Sequence, residues 1–391
     1  MPKLPEPRDP TLDAVDAALV RNNPPESRDY AGISELGHPC QKRLWLKHRK
    51  VKMDHMDAQG LRNVGDGYGG EYIMADRLKA VPEITLHTAD PKTDRQWAVS
   101  AFAGHVRGHL DGIIKGVFVA PKTWHVWEHK QVTEKKFRDL VRKKEKFGEK
   151  QALSEWNETY YCQAICYMGL LKPKATRHYL TVATAGGRDY TSVRTDFDQH
   201  AFDVFMDKAR EIIESTSPPP PVSSKEDYYI CRWCHFHEFC HEKTVTADVN
   251  CRTCAHATPR VDDTDRGTWW CELHDKRLTK KRQRDGCSKH LFIPELIPWA
   301  HVHTMDKINN SITYRTEAGT EFVNAETNAW DATPKQFTSK DLQHITPSNI
   351  DNNDLGLEAF AQFEGARIEK IERAKQQGND DPLDDPLPSW L

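Results

Sequence analysis

The stretch GHVRGHLDGIIKGVFVAPKTWHVWEHKQ, residues 104–131, decides the fold because it predicts two neighbouring β-strands. Leu110–Ile114 is apolar and β-branched around a single acid, which is typical of a buried strand. Trp124–Lys130 alternates large apolar and polar residues at a period of two, which predicts a half-buried strand. Since side chains two positions apart lie on one face of a strand, we expect Glu128 and Lys130 to point the same way.

The single acid of the first strand is Asp111, which we expect at the end of that strand. It can then reach the same point in space as Glu128 and Lys130. Two carboxylates and one ammonium group at one point suit a hard divalent cation, with the lysine placed to activate a water or to hold a phosphate oxygen. The alternative is an ordinary surface hairpin with a salt bridge between its strands.

A third carboxylate follows a glycine-rich segment further upstream. Gly65–Val81, GDGYGGEYIMADRLKAV, predicts a glycine-rich turn that leads into an amphipathic helix. No GK[ST] follows, so this is not a phosphate-binding loop. Glu71 then lies in the first part of the helix, where a negative charge is favourable near the N-terminus. Alternatively, Glu71 is a third carboxylate ligand from a helix packed beside the sheet.

Length and composition limit the class of protein. The chain has 391 residues, enough for one large domain and one or two small ones. With 38% hydrophobic and 29% charged residues and a net charge of −3, any nucleic-acid site must be a local basic patch. No run of 18 apolar residues and no apolar signal core are present, so we expect a cytoplasmic protein that does not bind or span a membrane.

Ten cysteines in such a compartment are more typical of metal sites than of disulfides. Three of them form a Cx2Cx5C cluster. We call these three cysteines, together with a fourth ligand, the first cysteine set. A zinc site would take that ligand from a nearby histidine, whereas a 4Fe–4S cluster would need a fourth cysteine. Cys40, which precedes a predicted helix, is the unpaired candidate, although a lone cysteine there is also typical of a small core residue. The cluster is Cys231, Cys234 and Cys240, and the histidines are His235, His237 and His241.

A second cysteine set follows within forty residues and resembles a zinc ribbon, because it opens with Cx2C and continues with two later cysteines. We predict a Zn²⁺ site of four thiolates, with two histidines as substitutes. The alternative is that these thiols bind no metal. The four cysteines are Cys251, Cys254, Cys271 and Cys287, and the histidines are His274 and His290.

Glu155–Leu171, EWNETYYCQAICYMGLL, predicts a strong helix. Gln163 and Tyr167 are four positions apart and therefore share a face. Cys162 and Cys166 share another face, and we interpret them as core residues and not as ligands.

The remaining segments give weaker signals. Lys135–Lys150 carries eight basic residues against three acids, which is typical of a solvated helix face or of an arm that contacts a nucleic-acid backbone. Two strands on either side of Glu317–Gly319 predict an edge hairpin, and Ser348–Gln377 predicts a terminal helix. The acidic residues 378–391 are typical of a disordered tail, or of a tail that docks a protein partner.

Together these residues resemble the RecB-like branch of the PD-(D/E)XK nucleases. The resemblance extends to CRISPR-associated exonucleases, AddB-type helicase–nucleases and exonucleases encoded by phages. The segments GHLDG, WEHK and QAICY carry the resemblance, which covers about residues 30–241. The matching order is Cys40, Glu71, Asp111, Glu128-x-Lys130, Gln163-xxx-Tyr167, and then Cys231, Cys234 and Cys240.

The resemblance implies an α/β fold of the restriction-endonuclease type, a mixed central sheet flanked by helices. Asp111 and Glu128 would bind Mg²⁺ or Mn²⁺, and Lys130 would be the catalytic lysine. Gln163 and Tyr167 match the QxxxY motif, which in the family lies near the DNA and the active site. Many relatives have a histidine as first metal ligand, in a G-xxx-H turn, where this chain has Glu71.

The resemblance also implies that the first cysteine set, with Cys40 as its fourth member, holds a 4Fe–4S cluster that acts as a structural staple. No Walker lysine loop is present, so we expect a stand-alone exonuclease that acts on single strands or duplex ends of DNA in recombination, repair or replication, encoded by a phage. The alternatives are a non-catalytic DNA-binding module, a zinc-centred adaptor and a site-specific endonuclease.

These expectations divide the chain into five regions. They are a flexible segment at 1–29, a nuclease domain with its staple at 30–245, a zinc-ribbon-like module at 246–293, a small α/β region at 294–377 and an acidic tail at 378–391.

Overall fold

The computed structural model describes residues 9–24, 28–53, 55–262 and 267–352 of a mixed α/β protein with several separate sheets. Its helices are α1 (Pro10–Asn22), α2 (Ile33–Leu36), α3 (Gln41–His48), α4 (Ala58–Lys79), α5 (Glu134–Phe147), α6 (Ala152–Trp156), α7 (Glu158–Leu170), α8 (Gln199–Glu214), α9 (Lys280–Asp285), α10 (Ser339–Leu342) and α11 (Pro347–Asp351). Its first ten strands are β1 (Ala31–Gly32), β2 (Thr85–His87), β3 (Ala89–Asp90), β4 (Arg95–Gln96), β5 (Ala98–Ala101), β6 (Val106–His109), β7 (Gly112–Lys115), β8 (His125–Val132), β9 (Arg177–Thr184) and β10 (Tyr190–Asp196). The others are β11 (Ala257–Arg260), β12 (Thr268–Cys271), β13 (Lys276–Leu278), β14 (Ala300–Asp306), β15 (Ser311–Thr316), β16 (Glu321–Asn324) and β17 (Lys335–Phe337).

The largest sheet has five strands in the order β10-β9-β8-β7-β2, and only the central pair, β8 and β9, is parallel. Its middle strand β8 is buried on both faces. Val126 belongs to the main hydrophobic core together with Ile165 of α7, whereas Trp127 packs in a separate cluster with Met74 of α4. Because successive strand residues point to opposite faces, α7 and α4 cover opposite sides of β8.

The predicted hairpin is present, since β7 and β8 pair antiparallel with Gly112 opposite Trp127. The position of Asp111 differs from the expectation, because it lies before β7 and not at the end of a strand. The cause is Leu110, which is fully buried and donates its amide to the Trp97 carbonyl oxygen beside another sheet, of order β1-β6-β5. The apolar run is thus divided between two sheets, and the chain bends at the acid.

The prediction of a glycine-rich turn at residues 65–81 is wrong, because this segment lies inside one 22-residue helix, α4, and extends just past its end. Asp57 caps the helix by accepting a hydrogen bond from the Gly60 amide. Interior glycines disfavour a helix by about 1 kcal/mol each relative to alanine. Packing of Met74 and Ala75 against the central sheet offsets this loss. Glu71 therefore lies in the middle of a long helix and not in its first turns.

Other predicted helices are confirmed with shifted ends. The lysine-rich segment forms α5, in which Leu140 is fully buried and Arg138 and Arg142 make exposed ion pairs within the helix. The segment at 155–171 forms α7, preceded by the short α6, and Cys162 and Cys166 are fully buried as expected. None of the helices in the described part of the chain combines the length and apolar character that crossing a bilayer requires.

The later part of the chain adds two more sheets, one of order β11-β12-β13 and one of order β14-β15-β16-β17. The hairpin predicted around Glu317–Gly319 is present as β15 and β16, but these are inner strands and not an edge. The sequence pattern did not predict the two flanking strands, because β14 is mostly exposed and β17 has only three residues. The predicted helix beyond residue 352 and the acidic tail lie outside the described residues, as do residues 1–8 and 25–27 of the predicted flexible segment.

Candidate active site and cysteine centres

Asp111 and Glu128 come together where the pairing of β7 with β8 ends. The Asp111 amide donates a hydrogen bond to Glu128 Oε1 at 3.3 Å. In return, Asp111 Oδ2 accepts one from the His129 amide at 2.8 Å. These two contacts bring the bend before β7 against β8. The two carboxylates are therefore held side by side by backbone groups.

Glu128 is also the centre of a side-chain network. Its side chain is almost completely buried, and Oε2 accepts hydrogen bonds from Lys130 Nζ at 2.8 Å and from Gln163 Nε2 at 3.1 Å. Glu128 and Lys130 thus lie on one face of the strand, as the alternation predicts. Gln163 Nε2 also donates to the Tyr167 hydroxyl at 3.1 Å, and that hydroxyl donates to the His109 carbonyl oxygen at 2.9 Å. The pair on α7 therefore fixes the buried carboxylate.

Charge repulsion and burial perturb the acids of this site. Burial, and then the negative charge of Asp111, raises the pKa of Glu71 on α4 to about 7 against the opposing charge of Lys130. Burial also raises the pKa of Asp111, and it raises that of Glu128 to about 8 against the opposing effect of Lys130. Burial alone would lower the pKa of Lys130, but Glu128 and Asp111 outweigh it and raise the pKa above its usual range.

Asp111, Glu128 and Lys130 form one contact cluster, and the charges of Asp111 and Lys130 act on Glu71 from a greater distance; the four are hereafter the acid–lysine set. This donor set suits a hard divalent cation, whose charge would relieve the repulsion. Among the described residues, no three His, Cys, Asp or Glu side chains already form a group that could hold a metal ion. Glu128 Oε2 is instead occupied by its two nitrogen donors.

The first cysteine set is also brought together. Its four thiols line one small cavity of about 20 Å³, and Cys40 precedes a helix as predicted, being the N-cap residue of α3. His237 and His241 line the same cavity, so a histidine ligand is not excluded, whereas His235 is not part of the lining. Burial, and then the neighbouring thiols, raises the pKa of Cys240 to about 11 against the opposing charge of Lys42. The lining cysteines are Cys40, Cys231, Cys234 and Cys240.

The second cysteine set lines another cavity, between β12 and the segments on either side of its sheet. Burial raises the pKa of Cys251 to about 11 and that of Cys254 to about 12. Of the two substitute histidines, His290 already has its Nε2 within 3.0 Å of the Asn250 carbonyl oxygen. His274 Nε2 lies 3.9 Å from Cys287 Sγ. The lining cysteines are Cys251, Cys254, Cys271 and Cys287.

Two buried arginines beside this cavity were missed by the sequence analysis. The Arg49 and Arg252 guanidinium groups each lie 4.9 Å from the ring centroid of Trp269. Arg49 donates to the backbone carbonyls of Ser215, Arg252 and Ala257, and Arg252 donates to two further carbonyls and to the Gln283 side chain. Within the described residues, neither guanidinium hydrogen-bonds to a carboxylate. No pattern in the sequence distinguishes these arginines from surface arginines.

A small basic and aromatic group next to the acid–lysine set was also missed. The Arg107 guanidinium lies 5.6 Å from the ring centroid of Tyr30, and the Tyr30 ring lies 6.4 Å from that of His109. Arg28 is close enough to lower the pKa of His109, after the larger effect of burial. These residues come from a short strand and a segment to which the sequence pattern assigns no structure.

Comparisons with known proteins add little. No family description matches the sequence, and no curated protein is similar to it. One solved structure, the crystal structure of SSO0001, is similar with a TM-score of 0.33 and 11% identity, over 59% of this chain and 96% of that chain. A likeness this low supports no inference, so function is argued below from the chemistry of the site.

Proposed function

We propose that this protein is a metal-dependent deoxyribonuclease of the RecB-like PD-(D/E)XK type that acts on DNA ends. The observation that carries the proposal is the contact among Asp111, Glu128 and Lys130 where the pairing of β7 with β8 stops. Lys130 Nζ lies 2.8 Å from Glu128 Oε2, and the Glu128 carboxylate lies against the backbone of Asp111. Glu71 of α4 is close enough to Asp111 and Lys130 for their charges to change its pKa.

Asp111, Glu128 and Glu71 would hold one or two Mg²⁺ or Mn²⁺ ions. Such an ion, when bound, polarises a phosphate oxygen and lowers the pKa of a bound water. The protein must then orient the reacting groups. Lys130 remains an ammonium group at neutral pH because its pKa is raised. It therefore donates hydrogen bonds to a phosphate oxygen or to the attacking water, and does not remove a proton.

In the proposed reaction, the water oxygen forms a bond to phosphorus as the bond from phosphorus to the leaving oxygen breaks. The water loses one proton and the leaving oxygen gains one, so the products are a phosphate monoester and a hydroxyl group. Gln163 and Tyr167 act as positioning residues, because Gln163 fixes Glu128 and Tyr167 anchors Gln163 to the His109 carbonyl oxygen.

The basic and aromatic group at Arg28, Tyr30 and Arg107 supports a nucleic-acid substrate. The net charge of the chain is −3, so affinity for DNA has to come from such a local patch. Arg28 and Arg107 can bind backbone phosphates, and an aromatic ring offers a surface on which a base can stack.

The test is degradation of linear and covalently closed circular DNA with Mg²⁺, with Mn²⁺ and with EDTA. We expect metal-dependent loss of linear DNA only, and no loss with Asp111→Asn. Cleavage of the circular substrate would instead indicate a site-specific endonuclease. Tight DNA binding without any cleavage by the native protein would contradict the proposal and favour the non-catalytic binding module.

We also propose that the first cysteine set holds a 4Fe–4S cluster that ties α3 to the segment after α8. The support is the shared cavity, in which residues almost 200 positions apart in the chain meet. Four cysteines are the usual ligands of such a cluster. Anaerobically purified protein should be brown and contain about four iron atoms per chain. A colourless preparation with zinc at these cysteines would reject the cluster.

For the second cysteine set we propose a structural Zn²⁺ site, and the two buried arginines support it. Buried charges in proteins are normally paired or bind metals. A Zn²⁺ ion with four thiolates carries a net charge of −2, which would balance Arg49 and Arg252. The Asp29 carboxylate offsets part of the Arg252 charge, but it is also paired with Lys50 and Lys280 and cannot balance both arginines.

A further inference from the structure

A cleft beside the acid–lysine set has no role in the function proposed so far. It measures about 260 Å³ and lies between α4, the carboxyl ends of β8 and β9, and the turn at Ala185–Gly187 that follows β9. We call it the glycine cleft. It adjoins the proposed catalytic groups, since Gly70 and His129 line it and are the chain neighbours of Glu71 and Lys130.

Missing side chains on α4 create this space. Gly65 and Gly69 lie one turn apart on the face of the helix that lines the cleft. A Cβ atom at either position would meet no other heavy atom within 4 Å, so neither glycine is required for helix packing. Gly67 also has open space around it, but it does not line the cleft.

The walls have the composition of a small-molecule site, mostly apolar with a few polar groups. Ile73, Met74 and Ala185 supply the apolar part. His129 is 5% exposed and its Nδ1 lies 3.0 Å from Thr181 Oγ1, whereas its Nε2 has no hydrogen-bond partner in the described structure. Arg77 closes the far wall by donating to the Gly187 carbonyl oxygen at 3.0 Å.

The Gln131 side chain crosses the cleft and forms hydrogen bonds on both sides of it. With its amide oriented to satisfy both groups, its nitrogen donates to the Asp66 carbonyl oxygen at 2.7 Å and its oxygen accepts from the Gly186 amide at 2.9 Å. This side chain therefore connects α4 to the turn after β9. Gln131 therefore limits how deeply a ligand can enter the cleft.

An open strand edge connects the cleft with the acid–lysine set. Pairing of β7 with β8 stops at Gly112 and Trp127, and beyond it only Asp111 contacts the His129 amide. His129 and Gln131 point to one face of β8, and Glu128 and Lys130 to the other. The two faces meet at this unpaired edge, so a ligand that occupies the cleft has to pass its phosphate around the edge of β8 to reach Lys130.

We propose that the glycine cleft binds the terminal nucleoside of a DNA strand and so places the adjacent phosphodiester on the acid–lysine set. The base would lie between the apolar wall and the backbone of the two glycines, with Arg77 as a polar partner. The inference rests on the proposed nuclease function and deepens it, because a cleft that holds one nucleoside makes mononucleotides the product.

Gly69→Leu tests the proposal by filling the cleft, and Gly67→Leu is the matched control on the same helix. Both replace a helical glycine with a better helix former, so both should fold. The probe is deoxyadenosine monophosphate, with binding measured by calorimetry without metal. We expect Gly69→Leu to weaken binding by about tenfold or more, and Gly67→Leu to leave it within about twofold. Gly65→Leu repeats the test one turn earlier.

The same variants are then assayed for mononucleotide release from linear DNA. We expect a loss of about tenfold or more with Gly69→Leu and unchanged release with Gly67→Leu. If the native protein does not bind the nucleotide, or if the two leucine variants bind it equally, the proposed nucleoside site in the glycine cleft is refuted. Binding that only Gly69→Leu weakens, in a protein that degrades no DNA, supports the nucleotide site and rejects the nuclease function.

Discussion

Glu128 shows how much of the proposed chemistry rests on single atoms. Its Oε2 accepts from both Lys130 and Gln163, and its Oε1 accepts from the Asp111 amide. A buried carboxylate with three donors is held in one orientation. A metal ligand held in this way loses little conformational freedom when the ion binds, which is the usual advantage of a preorganised site.

Lys130→Met should abolish cleavage and leave the fold intact. The substitution keeps most of the buried stem but removes the only ammonium group in the acid–lysine set. We expect single-turnover cleavage of linear DNA to slow by about 10²–10⁴-fold. Lys92→Met, at an exposed turn, is the control and should cleave at the native rate. If purified, folded Lys130→Met cleaves within about twofold of the native rate, the lysine has no catalytic role.

At this scale the sequence predicted part of the site. Alternation along one strand was enough to place Glu128 and Lys130 on one face, and helical spacing placed Gln163 next to Tyr167. Neither pattern could show that Arg49 and Arg252 are buried, because their partners are backbone carbonyls far away in the chain. Because every residue type has the same backbone carbonyl, the sequence does not show which carbonyls will bind an arginine.

At the scale of elements, the sequence failed to predict that α4 is one continuous helix. Four glycines within six residues predict a turn when only local propensity is considered. The helix forms because Met74 and Ala75 bury against the central sheet, a contact between parts of the chain that local patterns do not connect. Two of these glycines, Gly65 and Gly69, then leave the cleft open beside Met74.

Gly108→Ala should disrupt the contact between β6 and α7. A Cβ at Gly108 would lie against the ring of Tyr167, 2.9 Å from its hydroxyl oxygen, and that ring is held by the Gln163 and His109 contacts. Gly108 has no positive φ, so the effect is purely steric. We expect a loss of about 1–3 kcal/mol in urea unfolding, together with slower DNA cleavage.

The control is Gly67→Ala, at an open position of α4, which should stabilise the protein by about 0.5–1 kcal/mol and leave cleavage unchanged. Equal stability of Gly108→Ala and the native protein would mean that Tyr167 moves freely, and would remove its positioning role.

At the scale of the whole molecule, residues near the start of the chain are bound to residues far along it. The Asp29 carboxylate forms ion pairs with Lys50, at the end of α3, and with Lys280 and Arg284 of α9. The Arg252 guanidinium donates to the Asp29 carbonyl oxygen at 2.8 Å. The region predicted as a separate zinc-ribbon-like module therefore makes polar contacts with the segment before and after α3.

Asp29→Asn should reveal this connection through pH. Burial opposes ionisation of Asp29, but Lys280 and Lys50 outweigh it and lower the pKa to about 2. Because this folded-state value is below the unfolded value of about 3.9, the ion pairs stabilise the protein above about pH 4 and lose their effect as pH falls towards 2. The variant should unfold at lower urea concentration than the native protein at pH 6, with the difference shrinking towards pH 2. A difference that does not change with pH would contradict this account.

Cys254→Ser should remove the proposed Zn²⁺ ion and destabilise the whole chain. We expect about one zinc atom fewer per molecule by elemental analysis. We also expect a loss of about 3–5 kcal/mol, because Arg49 and Arg252 would then be buried without a counter-charge. Cys162→Ser is the control, since this thiol is buried in the core of α7 and should leave the zinc content unchanged. Native zinc content in Cys254→Ser would reject the site.

The contacts of Arg49 also constrain how the protein is made by the ribosome. This guanidinium donates to the carbonyl oxygen of Ala257, which is 208 positions later in the chain. At a synthesis rate of about 5–20 residues per second, that partner emerges about 10–40 s after the arginine. During this interval the first part of a nascent chain has an arginine whose final burial site does not yet exist. Burial of Arg49 in its native environment therefore has to wait until the segment around Ala257 has been synthesised, and until then the segment that contains α3 is exposed to chaperones and proteases.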